Sequence, residues 1–215
     1  MKKLFLGAAI LALAVSSQAQ DSAMKGMQVG FYLGGASPLG GDSFLEEFVA
    51  PGLSEVRTYK DDFKMGIAWG GYAAGPISGM IGWRVEAGRD SIPPKKGTRF
   101  LADQFDSFDA NHHVFRFSGG LQLAPWQTEE KGMPYGFFTI GLARESASID
   151  TTVGIVNTHY DLGASNSFGA SFGGGYNYNI GPNYGIGGDL HINVGKFDDA
   201  TRWSMTPSVV GFYRF

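Results

Sequence analysis

The sequence contains no cysteine, so disulfides cannot contribute to its stability, and small disulfide-bonded scaffolds are excluded. Charge is also scarce, because only 17% of the residues are Asp, Glu, Lys or Arg. If Lys2 and Lys3 are removed with a leader, 15 basic residues face 20 acidic ones and the net charge becomes −5. This acidic balance argues against nucleic acid as a partner.

Only one long hydrophobic run is present, and it lies at the N-terminus. Lys2 and Lys3 precede the apolar run 4–15, and small residues at Ser17 and Ala19 occupy the two positions that a signal peptidase reads. The run is shorter than the roughly 20 apolar residues of a membrane-spanning helix. We therefore expect residues 1–19 to be a signal peptide, removed on export, and 20–215 to form a single domain that starts at Gln20.

The rest of the chain carries hydrophobic residues at every second position, which is the period of a β-strand. In the first such segment Val29, Phe31 and Leu33 share one face, and small or polar residues occupy the other. The fifth segment is less regular, because Phe137 and Phe138 fall on opposite faces. About eight segments show the pattern: 27–36, 63–73, 81–88, 113–123, 135–145, 168–178, 186–194 and 203–215.

The second face of these segments distinguishes soluble from membrane-embedded β-proteins. A soluble β-sandwich or lipocalin also alternates, but it turns its apolar face inward and covers its outside with charge. Here the second face is poor in charge and rich in glycine, of which the chain has 33, as suits a crowded lumen. We predict an all-β fold: a closed antiparallel transmembrane β-barrel of about eight strands with up-and-down topology. Phe31, Ile67, Phe172 and Leu190 are expected to face lipid.

The lengths of the connections predict an orientation. Long connections are expected at 37–62, 90–111 and 146–165, and short turns at 74–78 and 179–184, where Gly-Pro sequences occur. Outer-membrane barrels place short turns in the periplasm and long loops outside, so both termini are expected to face the periplasm. Connections 125–134 and 196–201 depart from this alternation.

The last strand resembles the C-terminal strand of outer-membrane β-barrels, which ends in an aromatic residue preceded by apolar residues at alternate positions. Val209, Tyr213 and Phe215 match this signal for barrel assembly, whereas Pro207 and Gly211 depart from it. Pro207 is expected to lie at a β-bulge, because proline cannot donate to the ladder. The stretch 173–188, with two Gly-rich strands around Gly181-Pro182-Asn183, is similar to the penultimate hairpin of the small OmpA/OmpX-type barrels.

This resemblance implies a localisation in the outer membrane and three partners: outer-membrane lipid with lipopolysaccharide, the barrel-assembly machinery, and an extracellular ligand bound by the long loops. Aromatic residues near the strand ends are expected to form interfacial girdles. The expected members are Tyr72, Tyr135, Tyr178, Tyr184 and Phe215 at the periplasmic end, and Phe63, Phe115, Phe168 and Trp203 at the outer end.

The face that would line the lumen carries the polar residues with most bearing on function. An eight-stranded barrel is narrow enough for side chains to fill, so no wide pore is expected. Two interpretations stay open: a network of ion pairs that fills the lumen, or a narrow ion path through rearranging pairs. The residues concerned are Lys64, Arg84, Glu86, Arg116, Asp189 and His191.

Catalysis is a further alternative, because some barrels of this size transfer or remove an acyl chain of lipid A. Such a site needs a base beside a nucleophile. His112 and His113 lie close to Asp109 in sequence, and His159 lies near Asp161 and Ser165, but the His-x-Ser pairing of the known deacylases is absent. We therefore expect no catalytic residue, metal ion or cofactor.

The predicted outer loops are acidic, and no spacing in them matches a defined calcium-binding loop. Exposed loops on a rigid scaffold are common binding sites, and 45–59 is the segment to delete in a test of adhesion. The sequence thus predicts a structural or porin-like outer-membrane barrel, with a binding module as the alternative. The acidic residues are Asp42, Glu46, Glu47, Glu55, Asp61 and Asp62 in the first loop, and Asp103, Asp106 and Asp109 in the second.

Overall fold

The computed structural model describes residues 26–42, 58–95, 107–126, 131–197 and 200–215. The expected signal peptide and its cleavage site lie outside these ranges. Eight strands alternate along the chain, with one short helix, α1, between the first two. Their bounds are β1 Gln28–Gly41, α1 Tyr59–Asp62, β2 Gly66–Ser78, β3 Ile81–Ile92, β4 Ser107–Leu123, β5 Gly132–Val153, β6 Val156–Asn179, β7 Tyr184–Phe197 and β8 Ala200–Arg214.

Each strand pairs antiparallel with the next, and β8 pairs with β1, so the sheet closes into a barrel. The predicted closed antiparallel fold is therefore confirmed. The first and last residues that the structure describes lie side by side, because the amide of Gly26 donates to the carbonyl oxygen of Phe215 at 3.0 Å. We call this end, which also holds the β2–β3 turn, the turn end, and the opposite end, which holds α1, the loop end. Within the described ranges, no helix has the length and apolarity to cross a membrane.

The period-two pattern sorts side chains between the outside and the lumen, as predicted. Phe31 and Ile67 are 55% and 61% exposed, and Phe172 and Leu190 also lie on the outer surface. The ambiguous fifth segment follows the same rule, since Phe137 points into the lumen and Phe138 points outward. Side chains on successive strand residues point to opposite faces, so two consecutive phenylalanines can lie on opposite sides of the same strand.

The prediction of a loop at 146–165 is wrong, because β5 and β6 continue through it as one long hairpin. Their ladder runs out to the pair Val153–Val156 and turns at Gly154, whose φ of 60° suits a residue without a side chain. This stretch is rich in Ile, Val and Thr, which favour strands. Strand propensity therefore continues beyond the part of the barrel that the apolar alternation marks.

Three of the expected girdle aromatics lie inside the protein. Tyr72 and Tyr135 occupy inward positions of β2 and β5 and are buried. Phe63 is buried as well, because β2 begins only at Gly66 and Phe63 belongs to the α1 connection. The six other expected members are exposed on the outside: Tyr178, Tyr184, Phe215, Phe115, Phe168 and Trp203.

The expected bulge at Pro207 is also wrong. The β1–β8 pairs run to Gly34–Ser208 and resume at Ser37–Met205 in the same register, so the missing proline N–H costs local pairing without an extra residue. The shift in this ladder lies instead between Pro38 and Gly40. Loss of a donor and insertion of a residue are separate effects, and only the first follows from the presence of proline.

Apolar clusters close the two ends of the lumen. At the turn end, Trp126 packs with Ala124 and Met133, and its indole N–H donates to the carbonyl oxygen of Met80 at 3.2 Å. Gly82 is required there, because any Cβ at this position would collide with the Trp126 ring. At the loop end, Tyr59 from α1 and Phe63 pack against further buried residues, namely Ala36, Ala68, Ile92 and Ile149.

Candidate functional site

The candidate site is the polar interior of the barrel between these two apolar clusters. Arg84, Glu86, Asp189 and His191 are buried there, and Arg116 is nearly so, with a side chain 17% exposed. Lys64 is a correction to the predicted set: it precedes β2, and its side chain is exposed at the loop end. The apolar alternation in the sequence starts three residues before the strand itself begins.

Arg84 and Glu86 form the central ion pair of the lumen. Arg84 is completely buried, and its Nε donates to Oε2 of Glu86 at 2.9 Å. Its Nη1 donates to Oε1 of Gln122 at 3.0 Å. The guanidinium also lies over the rings of Tyr72 and Phe137, 4.0 and 4.2 Å from their centroids. Buried cations are stable only when paired, and here one carboxylate, one amide and two aromatic faces surround the charge.

The second carboxylate oxygen of Glu86 is held by hydroxyls. Oε1 accepts from Ser118 at 3.3 Å and from Thr139 at 3.1 Å, so both oxygens have donors. These groups come from β3, β4 and β5, and the pair therefore links three neighbouring strands across their inward faces. Both oxygens of Glu86 are thus satisfied, whereas Nη2 of Arg84 and Nε2 of Gln122 are buried without a hydrogen-bond partner among the described residues.

Asp189 organises a second group on the opposite wall. Its Oδ2 accepts from the Tyr135 hydroxyl at 3.1 Å and lies 3.0 Å from Nε2 of His191. Its Oδ1 accepts from the Ser208 hydroxyl. The ring of His191 packs between Tyr32 and Phe137, with centroid distances of 5.0 and 4.7 Å. Phe137 thus contacts both His191 and Arg84, which joins the two groups.

Arg116 pairs with a residue that sequence reasoning placed in a loop. Its Nη2 donates to Oδ2 of Asp90 at 2.5 Å and to the Ser204 hydroxyl at 3.3 Å. Asp90 was expected to begin the second long connection, but β3 extends to Ile92 and turns Asp90 inward. The even-numbered inward pattern of Arg84 and Glu86, extended by two more steps, would have identified it.

A third group, the mouth cluster, consists of Tyr59, His112, Glu145 and Arg202 at the loop end. Nε2 of His112 lies 2.6 Å from Oε1 of Glu145, and Arg202 donates to Oε2 of the same carboxylate. Oη of Tyr59 lies 2.9 Å from Nδ1 of His112. Burial raises the pKa of the Tyr59 hydroxyl, so it is protonated and can donate to Nδ1 while the Nε2–H donates to Glu145.

The mouth cluster depends on where the chain places α1. A bridge between Asp42 and Thr58 precedes the helix, and a bridge between Phe63 and Pro94 follows it. The Thr58 amide donates to Asp61 at 3.1 Å, which caps the helix. This contact gives Asp61, one of the acidic loop residues, a structural role. Glu46, Glu47, Glu55, Asp103 and Asp106 lie outside the described residues, as does the side chain of Asp109.

The histidines considered for catalysis have separate surroundings, and one of them lies beside a serine hydroxyl. His112 is buried in the mouth cluster, and Nδ1 of His113 lies 3.0 Å from the Ser91 hydroxyl. His159 pairs with Asp150 at 2.6 Å on the exposed hairpin. Ser165 lies opposite Glu145, further down that hairpin, so the expected grouping with His159 does not form. In the part of the chain that the structure describes, no three His, Asp or Glu residues converge on a metal site.

The space left in the lumen is small. One cavity lies between the mouth cluster and Arg116, and another lies between Arg116 and His191. Each has room for about one water molecule. The described side chains around these two cavities leave little free volume between them.

Comparison with known proteins gives a likeness of fold. No protein-family model and no curated protein matches the sequence. Among solved structures, the chain is similar to a major outer membrane protein from Thermus thermophilus, with a TM-score of 0.52 and 13% identity over 86% of this chain and 99% of that one. Further matches are Ail, the attachment invasion locus protein of Yersinia pestis (TM-score 0.49, 14% identity, 87% and 98% covered), and OprG from Pseudomonas aeruginosa (0.47, 13%, 89% and 97%).

The chain therefore has the fold of the small eight-stranded outer-membrane β-barrels. At this level of identity the likeness describes architecture, and it assigns no role to the residues of the lumen.

The central pair predicts a non-additive loss of stability. Arg84→Met leaves the Glu86 carboxylate buried without its cation, and we expect it to lower the free energy of unfolding by about 3–5 kcal/mol. Glu86→Gln should also destabilise, and the double variant should lose clearly less than the sum of the two. Urea titration of the protein in detergent micelles measures all three. Asp150→Asn, which breaks the exposed pair with His159, is the control and should change stability by less than about 1 kcal/mol. Strict additivity would contradict the pairing.

Proposed function

We propose that the mature chain, starting at Gln20 after removal of residues 1–19, is an integral protein of the bacterial outer membrane with a structural role. The carrying observation is a closed barrel whose outer wall is lined by large apolar side chains, while Arg84, Glu86 and Asp189 are enclosed. Soluble monomers rarely expose contiguous apolar patches beyond a few hundred Å². An apolar belt around the whole barrel is therefore suited to contact with the hydrocarbon chains of a lipid bilayer.

The height of the belt supports this proposal. Ile81 and Arg89 are both outward residues of β3, eight positions apart, so the apolar stretch is about 26 Å long at ~3.3 Å per residue. With the strand tilt of about 40° common in such barrels, that length corresponds to a height of about 20 Å, against ~25 Å for the apolar band of known barrels. Lipid would contact this band.

The last strand supports assembly into the membrane by the barrel-assembly machinery, which we propose as a partner. Val209, Tyr213 and Phe215 all point outward, and the rings of Tyr213 and Phe215 pack edge to face at 5.1 Å. β8 is also the strand that closes the barrel against β1. An exposed aromatic signal on the closing strand is suited to recognition before closure.

Residence in lipid predicts opposite outcomes for two equally polar substitutions. Ile140 lies mid-belt at 60% exposure, whereas Ile155 is fully exposed at the tip of the β5–β6 hairpin. Ile140→Lys should destabilise the inserted barrel by about 2–4 kcal/mol, and Ile155→Lys should leave it unchanged. Unfolding from phospholipid vesicles, followed by the mobility shift on heating, measures both. Equal tolerance at the two sites, as in a soluble protein, would refute the proposal.

The lumen network is proposed to keep the barrel closed to solutes, in preference to a porin-like role. Arg84, Glu86, Asp189, His191 and Arg116 all have side-chain partners, and α1 and Trp126 cover the two ends. Movement of an ion would require breaking these pairs in a desolvated interior.

Planar-bilayer recordings test closure. We expect the purified wild-type protein to show no steady conductance. A steady channel that disappears in Arg84→Met or Arg116→Met would instead establish an ion path through the network, because pairs that conduct must involve these guanidinium groups. Tyr178→Phe, on the outer wall, is the control that should change neither result.

A second candidate function is binding at the cell surface, and the long hairpin favours it. The ladder of β3 and β4 ends at the pair Ile92–His112, and the ladder of β6 and β7 starts at the pair Gly169–Gly195. Beyond these pairs, β4, β5 and β6 continue above the rim of the barrel. Among the described strands, the outer part of β6 pairs with β5, and its ladder with β7 stops at Gly169. Val153, Ile155 and Val156 expose apolar side chains at the tip.

Attachment assays separate this role from the structural one. Cells expressing a variant with 151–158 replaced by an Asn-Gly turn should attach less to cultured epithelial cells, while the barrel still shows its heat-dependent mobility shift. Deletion of 45–57 in the first connection provides the comparison. Unchanged attachment in both variants would count against a binding role for either segment.

A further inference from the structure

Two arginines stand on the outer wall of the barrel in one row of directly paired residues. The β3–β4 register places Arg89 opposite Phe115, and the β4–β5 register places Phe115 opposite Arg144. All three side chains are exposed, because they occupy the outward positions of their strands. The row Arg89–Phe115–Arg144 thus presents two guanidinium groups on either side of one aromatic ring.

This row marks the upper limit of the apolar belt. Ile81, Leu123 and Gly136 form the matching row at the turn end, eight residues below along each of the three strands. The outward positions between the rows hold only apolar residues or glycine: Trp83, Val85, Ala87, Phe117, Gly119, Leu121, Phe138, Ile140 and Leu142. The arginines therefore lie where acyl chains would give way to headgroups.

The two arginines differ from those of the interior in their partners. Arg84, Arg116 and Arg202 each have a carboxylate within salt-bridge distance. Among the residues that the structure describes, neither Arg89 nor Arg144 is paired with a carboxylate. Both guanidinium groups are thus available to an external anion.

The spacing defines the kind of anion. Adjacent strands are about 4.8 Å apart, so two strand steps separate the arginine backbones by about 10 Å. A guanidinium binds a phosphate through two parallel hydrogen bonds, and the Phe115 ring between the two supplies an apolar surface for an acyl chain. A lipid with phosphate groups on its headgroup satisfies both features, whereas a small free anion uses only one.

We propose that Arg89, Phe115 and Arg144 form a binding site for the phosphate groups of an anionic lipid in the outer leaflet. This inference rests on the proposed residence in the outer membrane with the loop end outward. The arginines hold the headgroup phosphates, and Phe115 contacts the chain below. The site would also set the depth of the barrel in the bilayer on the β3–β5 side.

Binding is tested with the full mature protein in micelles of a neutral detergent, titrated with bisphosphorylated lipid A and followed by native mass spectrometry. We expect wild-type protein to retain lipid A and Arg89→Gln/Arg144→Gln to bind it about tenfold more weakly, because two charge-assisted contacts are lost. Arg89→Lys/Arg144→Lys should recover part of the affinity. Lys60→Gln/Lys64→Gln removes the same charge from exposed loop-end positions and should bind like wild type.

The remaining outcomes are decisive. Equal binding by the Arg89→Gln/Arg144→Gln variant and wild type, or equal loss in the lysine control, overturns the site and indicates a general charge effect. If inorganic phosphate binds as well as lipid A does, the assignment of the site to a lipid is overturned. A barrel that inserts normally but lacks this binding refutes the site and leaves the proposed function intact, whereas failure to insert into vesicles refutes the proposed function itself.

Discussion

The ladder between β8 and β1 is the interaction on which the rest of the structure depends. An open sheet would leave two rows of unpaired N–H and C=O groups, and each such group costs several kcal/mol in hydrocarbon. Closure pairs them, and the hydrogen bond between Gly26 and Phe215 adds a contact at the turn end of this seam. The seam accommodates Pro207 because the register is kept on both sides of it.

Closure has a direct consequence for the charged residues. With eight strands, the interior is only wide enough for side chains, so inward-pointing charges lose their water. Arg84 is therefore surrounded by Glu86, Gln122 and two aromatic faces, and Asp189 by three donors. Such pairs add little net stability compared with an apolar filling, but each partner becomes costly to remove singly. The side chains of the lumen are therefore packed against one another, because each charged residue needs its partner.

The two faces of one strand show how strongly position determines a residue's environment. Arg84 and Arg89 both lie on β3, and an odd number of positions separates them, so they point to opposite sides of the wall. Arg84 is desolvated and paired, whereas Arg89 is exposed at the edge of the apolar belt. The same residue type thus stabilises the interior in one position and is available to an external anion in the other.

Within the strands that the structure forms, the direction of a side chain could be read from the sequence, because it follows from the local period of a strand. Alternation alone was enough to place Phe31 outside and Glu86 inside, and the same rule resolves Phe137 and Phe138. Partners could not be read in this way. Arg84 meets residues of β2 and β5, and His112 meets Tyr59 of α1. Such contacts depend on the relative register of all eight strands.

The wrong predictions of strand limits share one cause. Apolar alternation marks the part of a strand that is covered by lipid, so it could not show that β5 and β6 continue through 146–165, or that β2 starts after Phe63 and Lys64. The sequence by itself determined which face each residue takes, since that is a property of the local backbone. Only the tertiary structure decided where the strands end and which charges meet, because both are properties of the closed sheet as a whole.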